Sequence, residues 1–327
     1  MKTEELKLTQ EWDKVFAKKD EVDHKKVTFA NHFGITLAAD LYMPRNVEGK
    51  LPAVAVSGPF GACKEQSSGL YAQELAKRGF LAIAFDPSFT GESGGYPRAM
   101  HSPDINVEDF QATVDYLSCN ELVDPERIGI VGICGWGGMA IQTACLDTRI
   151  KATVSSTMYD MSRIAGNGYF DSDDSKESRK AAREAINKQR TQDFKNGTYL
   201  RQGGVVDPVP EGAPFFIEDY HDYYKTARGY HERSLNSTEG WNASSGTSLM
   251  NTRLFTYAGE IDSAVLLVHG EKAHSRYMSE DTFKLLKGDN KELVIIPGAV
   301  HTDLYDGGDK DYIPFDKIES FLKIHLK

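Results

Sequence analysis

The segment Ile128-Gly-Ile-Val-Gly-Ile-Cys134-Gly-Trp-Gly-Gly138 joins a short, β-branched apolar run to a glycine-flanked thiol. Ile128, Ile130, Val131 and Ile133 read as a buried parallel strand, and residues 139–145 read as a helix. A nucleophile at the apex of a tight strand-to-helix turn is a presentation suited to attack on a carbonyl carbon. Glycines are expected there because the turn is strained and neighbouring backbone crowds it. A thiol at a helix N-terminus also sits where the dipole favours thiolate. In the usual Gly-x-nucleophile-x-Gly pattern the second glycine falls at 136, where this chain has Trp136, with Gly137 and Gly138 just beyond. An isolated cysteine closing a core strand is more often a packed structural thiol. The strand–turn–helix context and a histidine downstream reverse that balance.

That histidine is His301, in Ile296-Pro-Gly-Ala-Val-His301-Thr-Asp-Leu-Tyr305, on a loop leaving the last strand. An imidazole beside the thiol can hold a thiolate–imidazolium pair and then protonate the leaving group. An orienting acid is expected just after the strand at 265–268, where the chain reads His269-Gly-Glu-Lys-Ala273-His-Ser275. The carboxylates within range are Glu271 in that loop and Asp160 at the end of an earlier strand, with Asp160 slightly preferred. Ser275 is an orienting group of another kind, and a Cys–His pair leans less on an acid than Ser–His does. An oxyanion needs two backbone N–H groups. Gly135 would supply one, and Phe60, in the loop Gly58-Pro-Phe-Gly61, the other. Glu65, in Lys64-Glu-Gln66, either points inward to modulate the Cys134 proton or is a solvated first-turn acid.

The elements that would position these groups follow from hydrophobic period and breakers. Residues 26–29 and 36–42 read as paired strands about Asn31-His-Phe-Gly34, and 52–57, 80–85 and 152–155 as buried strands. Helices are expected at 70–78, ending at Gly79, and from a cap at Asn106 through Leu117. Strands alternating with helices at this spacing imply a mostly parallel sheet flanked by helices. The alternation breaks at about 161. Residues 161–255 carry an acidic stretch (Asp171-Ser-Asp-Asp174), an amphipathic helix near 180–189 and an aromatic segment at 215–230. They read as a mainly helical cap inserted between core segments 1–160 and 256–327. The core resumes with a strand at 265–268, a helix at 280–286, a strand at 293–296 and a closing helix at 315–326.

Composition narrows the classes. The 327 residues are 40% hydrophobic and 26% charged, as in ordinary soluble domains, and the formal charge of −10 argues against nucleic acid or an anionic membrane as partner. No run is long enough to span a bilayer. The charged stretch from Met1 to Trp12 lacks the apolar core of a signal peptide, which makes the cytoplasm the expected compartment. Cys63, Cys119, Cys134 and Cys145 show neither a disulfide framework nor metal-ligand spacing. His221 and His231 lack ligand partners, and Gly91-Glu-Ser-Gly-Gly95 lacks the lysine of a phosphate loop. No metal or cofactor is expected. The expected partner is a small acyl substrate, with homo-oligomer formation left open.

With these residues in place, the chain resembles bacterial α/β-hydrolases of the dienelactone-hydrolase-like group that carry Cys at the turn. The likeness runs from about 26 to 325. It rests on Lys64-Glu-Gln66, Phe85-Asp-Pro-Ser-Phe-Thr-Gly-Glu-Ser-Gly-Gly95, Gly132-Ile-Cys134, His269-Gly-Glu-Lys-Ala-His-Ser-Arg-Tyr277 and His301-Thr-Asp-Leu-Tyr-Asp306. It implies an α/β-hydrolase fold, with Cys134 as nucleophile and His301 as base on an ester, lactone or thioester. Dienelactone hydrolases proper have an Asp after the penultimate strand, where this chain has Ala273. The expected activity is hydrolysis through an acyl-enzyme. The alternatives are acyl transfer on the same fold and a non-catalytic binding protein.

Overall fold

The structure, a computed structural model, describes residues 3–45 and 48–327. Strands β1 (Val22–Ala30) and β2 (Thr36–Pro44) form an antiparallel hairpin whose turn is closed by Gly34 N–H on the Asn31 carbonyl at 3.0 Å. Then come β3 (Leu51–Ser57), helix α1 (Ser67–Lys77), β4 (Leu81–Phe85), α2 (Pro103–Ser118), β5 (Val123–Ile133), α3 (Gly135–Ala144) and β6 (Ile150–Ser156). β4 and the distal half of β5 are buried on both faces, as near-continuous Val, Ile, Leu and Ala runs must be inside a covered parallel sheet. α2 starts at Pro103 behind Ser102, and Asn106 lies inside the helix. Its side-chain oxygen accepts from the Ser102 N–H at 3.2 Å, so it closes the helix start from within instead of capping it.

Residues 161–263 add no strand to this sheet. They hold α4 (Met161–Asn167), α5 (Lys176–Asn196), β7 (Arg201–Gln202), α6 (Phe215–Lys225), β8 (Trp241–Asn242) and α7 (Gly246–Met250), with β7 and β8 paired as a separate antiparallel ribbon. The main sheet resumes at β9 (Ala264–Gly270), followed by α8 (Arg276–Leu285), β10 (Lys291–Ile296), α9 (Asp303–Asp306) and α10 (Phe315–His325). Its order is β1-β2-β4-β3-β5-β6-β9-β10, parallel from β4 to β10 with β1 and β2 antiparallel at one edge. The ends of β3, β5, β6 and β9, and the loop after β10, therefore open on one side, where a ligand crevice is expected. No helix among the described residues is long and apolar enough to cross a membrane.

A charged knot sits beside the loop after β3. The Lys64 ammonium is buried and lies 2.7 Å from Glu65, 2.8 Å from Asp86 and 2.6 Å from Glu92. Arg233 adds a contact to Glu65 at 2.9 Å and Lys26 pairs with Glu92, so the knot joins the first loop, the 86–95 loop and residues of the inserted segment.

Candidate active site

Cys134 occupies the turn between β5 and α3 with φ 58° and ψ −127°. A side chain in this region costs about 1–3 kcal/mol and persists only where the surroundings fix it. Here the Cys134 N–H donates to the Ser156 carbonyl at 2.9 Å, and its own carbonyl accepts from Gly137 and Tyr159 at 2.8 and 3.0 Å. The following glycine is needed for close approach: a Cβ on Gly135 would meet the Phe60 Cβ at 2.7 Å and Met161 Cγ at 2.8 Å. Trp136 does not crowd the nucleophile. It is buried beneath the turn, edge-on to Phe85 and Phe110 with ring centroids 5.5 and 5.3 Å away.

The thiol is buried, and burial pushes it up to about 11. The Tyr305 hydroxyl and the N–H groups of Gly135 and Phe60 pull the other way without overcoming that desolvation. His301 is also buried and held well below the ordinary histidine range, first by desolvation and then by the neighbouring His274 and His269. The pair therefore rests as neutral thiol and neutral imidazole. This departs from the thiolate–imidazolium pair expected from the sequence, because helix-end dipole and hydrogen bonds are outweighed by removal from water. Alkylation of Cys134 by iodoacetamide should accelerate about tenfold per pH unit from pH 7 to 10, without a plateau near neutrality. Peptide mapping after timed labelling would check this, and a plateau between pH 6 and 8 would restore the ion pair.

His301 is tethered at both ring nitrogens. Nε2 lies 3.0 Å from the Tyr305 hydroxyl, which stands between the imidazole and the thiol. Nδ1 lies 2.7 Å from Ser275 Oγ and 3.0 Å from Thr157 Oγ1. Ser275 Oγ is in turn 2.9 Å from His269 Nε2, and His269 Nδ1 is 2.6 Å from Ser279 Oγ. Hydroxyls and a second, neutral imidazole thus stand where a carboxylate was sought. Tyr305 falls one helical turn after His301, and His269, Ser275 and Ser279 fall six and four apart, a spacing that in retrospect marks one cluster.

The two carboxylates proposed for that role are engaged elsewhere. Asp160 is the N-cap of α4, accepting from Ser162 and Arg163 N–H at 2.9 and 3.0 Å and from Ser162 Oγ at 2.6 Å. Glu271 turns outward and accepts from the Gly298 N–H at 2.8 Å, pinning the loop after β10. Glu65 is neither solvated nor aimed at the thiol: Lys64 and Arg233 take its carboxylate in the buried knot. Two groups of side chains there, Cys63–Glu65–His231 and Glu65–Asp86–Glu92, lie close enough together to hold an ion. The Lys64 ammonium already fills the position between the carboxylates.

A cavity of about 380 Å³ opens beside Cys134, within the usual range for small-molecule sites. Its walls include Phe60, Tyr159, Ile164, Tyr220, Trp241 and Leu249, most of them from the inserted segment. That segment also holds the loop after β3. Asn236 Nδ2 donates to the Phe60 carbonyl at 2.8 Å, and Ser234 Oγ to the Gly61 carbonyl at 3.0 Å.

Comparison with known proteins agrees with this architecture. The model of a family described as X-Pro dipeptidyl-peptidase (S15 family) matches residues 34–302. The uncharacterized protein PA2218 of Pseudomonas aeruginosa is 53% identical over 98% of this chain and 86% of its own. Its crystal structure superposes with a TM-score of 0.95, at 52% identity, covering 99% of this chain and all of that one. The α/β-hydrolase GrgF from Penicillium sp. sh18 superposes at a TM-score of 0.74 over 93% of this chain and 99% of its own, at 20% identity. A partial relative, thiohydrolase aneE of Aspergillus aculeatus, is 33% identical over 42% of each chain.

Proposed function

The chain belongs to the X-Pro dipeptidyl-peptidase (S15) family, with an α/β-hydrolase fold, and from that premise we propose that it is a cysteine-dependent hydrolase of ester or thioester bonds. The observation that carries the proposal is the convergence of the Phe60 and Gly135 N–H groups and the Tyr305–His301 pair on one strained thiol. Sγ of Cys134 attacks the acyl carbon, and its proton passes through the Tyr305 hydroxyl to His301 Nε2. The N–H groups of Gly135 and Phe60 stabilise the tetrahedral oxyanion. Collapse expels the alcohol or thiol, which takes the proton back from His301 by the same route. Water, activated by His301, then hydrolyses the thioester on Cys134 and restores the thiol.

Ser275 acts as a positioning residue, holding the His301 ring with Thr157 and relaying to His269. Removal of orienting partners of this kind typically costs 10- to 100-fold, less than loss of a buried carboxylate partner. The likeness to the dienelactone-hydrolase-like group and the name of the partial thiohydrolase relative both support a cleaved acyl bond. The peptidase reading implied by the family's name fits less well. A substrate entering by its amino terminus presents an ammonium group, and no carboxylate lines the cavity among the described residues.

The test is an acyl trap. Mixing with a short p-nitrophenyl ester and quenching in acid should show one acyl mass increment, on the peptide carrying Cys134, that decays as product forms. An adduct that persists until an added alcohol or amine removes it would assign acyl transfer instead. Absence of any adduct with esters and thioesters of several chain lengths would sink the nucleophile assignment and favour a binding protein.

A further inference from the structure

The cavity beside Cys134 is lined without a single lysine, arginine, aspartate or glutamate among the described residues. Several of its polar side chains are already committed. Tyr159 and Tyr220 hydroxyls lie 2.9 Å apart, and Tyr159 also meets His274 Nε2. The Asn236 amide is spent on the Phe60 carbonyl, and the Tyr305 hydroxyl on His301.

His101 and Tyr224 are different, each lining the cavity with a buried polar atom that has no partner among the described residues. The His101 ring lines the cavity between Phe60 and Trp241, with centroids 5.4 and 5.1 Å away. The residue is only 7% exposed, and neither ring nitrogen has a hydrogen-bond partner among the described residues; Nδ1 is fully enclosed, which leaves Nε2 as the nitrogen open to the cavity. Its backbone is fixed, the neighbouring Ala99 carbonyl accepting from Asn242 at 2.8 Å and its own carbonyl accepting from Ser248 Oγ at 3.4 Å. A buried imidazole left unpaired is destabilising unless something else meets it. Burial holds its pKa down to about 4, so the ring is neutral throughout the physiological range. A neutral imidazole offers one donor and one acceptor, the complement of a hydroxyl group.

Resting on the acyl-bond reading above, we propose that the acyl group this site accepts is uncharged and largely apolar, and carries a hydroxyl group that His101 recognises. Aromatic walls supply its apolar contacts. A carboxylate on the acyl group would lose its water without gaining a cation.

The test measures binding without chemistry, so that it stands apart from the nucleophile assignment. The ligands are non-hydrolysable amides: hydrocinnamamide, its ortho, meta and para hydroxy isomers, and its para-carboxy derivative. Trp241 forms part of the wall, so quenching of tryptophan fluorescence reports occupancy. One hydroxy isomer should bind about tenfold tighter than the parent amide, the equivalent of one neutral hydrogen bond. In His101→Phe the ratio between that isomer and the parent amide should fall to about one, whatever the affinity of the parent. The carboxy derivative should bind at least 100-fold more weakly than the parent. A hydroxyl preference that survives in His101→Phe, a carboxy derivative that binds as well as the parent, or no binding by any amide would each overturn the inference. Acylation of Cys134 in the trap experiment, scored separately, would still decide the chemistry.

Discussion

Turnover of a p-nitrophenyl ester or a simple thioester is expected to fall by about 10⁴-fold or more in Cys134→Ala, the loss expected when the nucleophile of the proposed mechanism is removed. His301→Phe should fall nearly as far. Its ring is the base that Tyr305 connects to the thiol among the described residues, and groups acting as one unit lose most of their effect when any is removed. Ser275→Ala should be milder, about 10- to 100-fold in kcat with KM little changed, because Thr157 Oγ1 at 3.0 Å still holds Nδ1. Steady-state kinetics on the three variants, with circular dichroism to confirm folding, would check this order. Full activity in Ser275→Ala would remove the relay from the mechanism, and residual turnover within tenfold of wild type in Cys134→Ala would move catalysis to another group.

The largest loss of stability should follow Lys64→Met. Three buried carboxylates share the Lys64 ammonium, and removing one partner of a buried ion cluster leaves charge uncompensated, at a cost of about 3–5 kcal/mol. For a chain of this size that is a fall in melting temperature of roughly 5 °C. The pH dependence carries a sign. Glu92 is held down to about 2, by Lys64 and Lys26 acting against its burial, and Glu65 is also held well below its ordinary value, chiefly by Lys64 and Arg233. Depressed carboxyls of this kind stabilise the fold above the unfolded value and lose that contribution as pH falls through the folded one. Without Lys64 both groups should titrate higher, so acid should relieve the variant more than the wild type. The deficit should thus be greatest near pH 7 to 8 and should narrow below pH 4.5, the ordinary glutamate value. Thermal melts at about pH 8 and about pH 3 would show it, and a deficit that does not change with pH would mean that the loss is one of packing.

Local signals carried most of the fold. Period and glycine punctuation were enough to read the strand before Cys134, its helix and the alternation around them, because a buried parallel strand must be apolar along its length. Boundaries were looser: α5 extends well beyond the 180–189 stretch, since its solvated ends carry little apolar period. The site was legible where one motif holds a residue and its surroundings together, as at Cys134 and Gly135. It was not legible where partners meet only in space. Asp160 looked like an orienting acid from its place after a strand, but the same place begins a helix whose N–H groups claim it. Glu65 looked like an isolated acid because Asp86, Glu92 and Arg233, which share its knot, lie 21 to 168 residues away in the chain. Ser275 was legible as an orienting group because it shares the loop after β9, but His269 and Thr157 had no carboxylate or motif to announce them.

The burial of Cys134 bears on how long such a catalyst would last. With burial pushing its thiol up to about 11, very little of it is thiolate at pH 7. Peroxide and environmental electrophiles react with the thiolate, so they would find the resting protein almost inert. Nucleophilic character would arise only when an acyl group fills the cavity and charge can move onto its oxygen. A thiol held this way would persist in surroundings that oxidise or alkylate more acidic thiols.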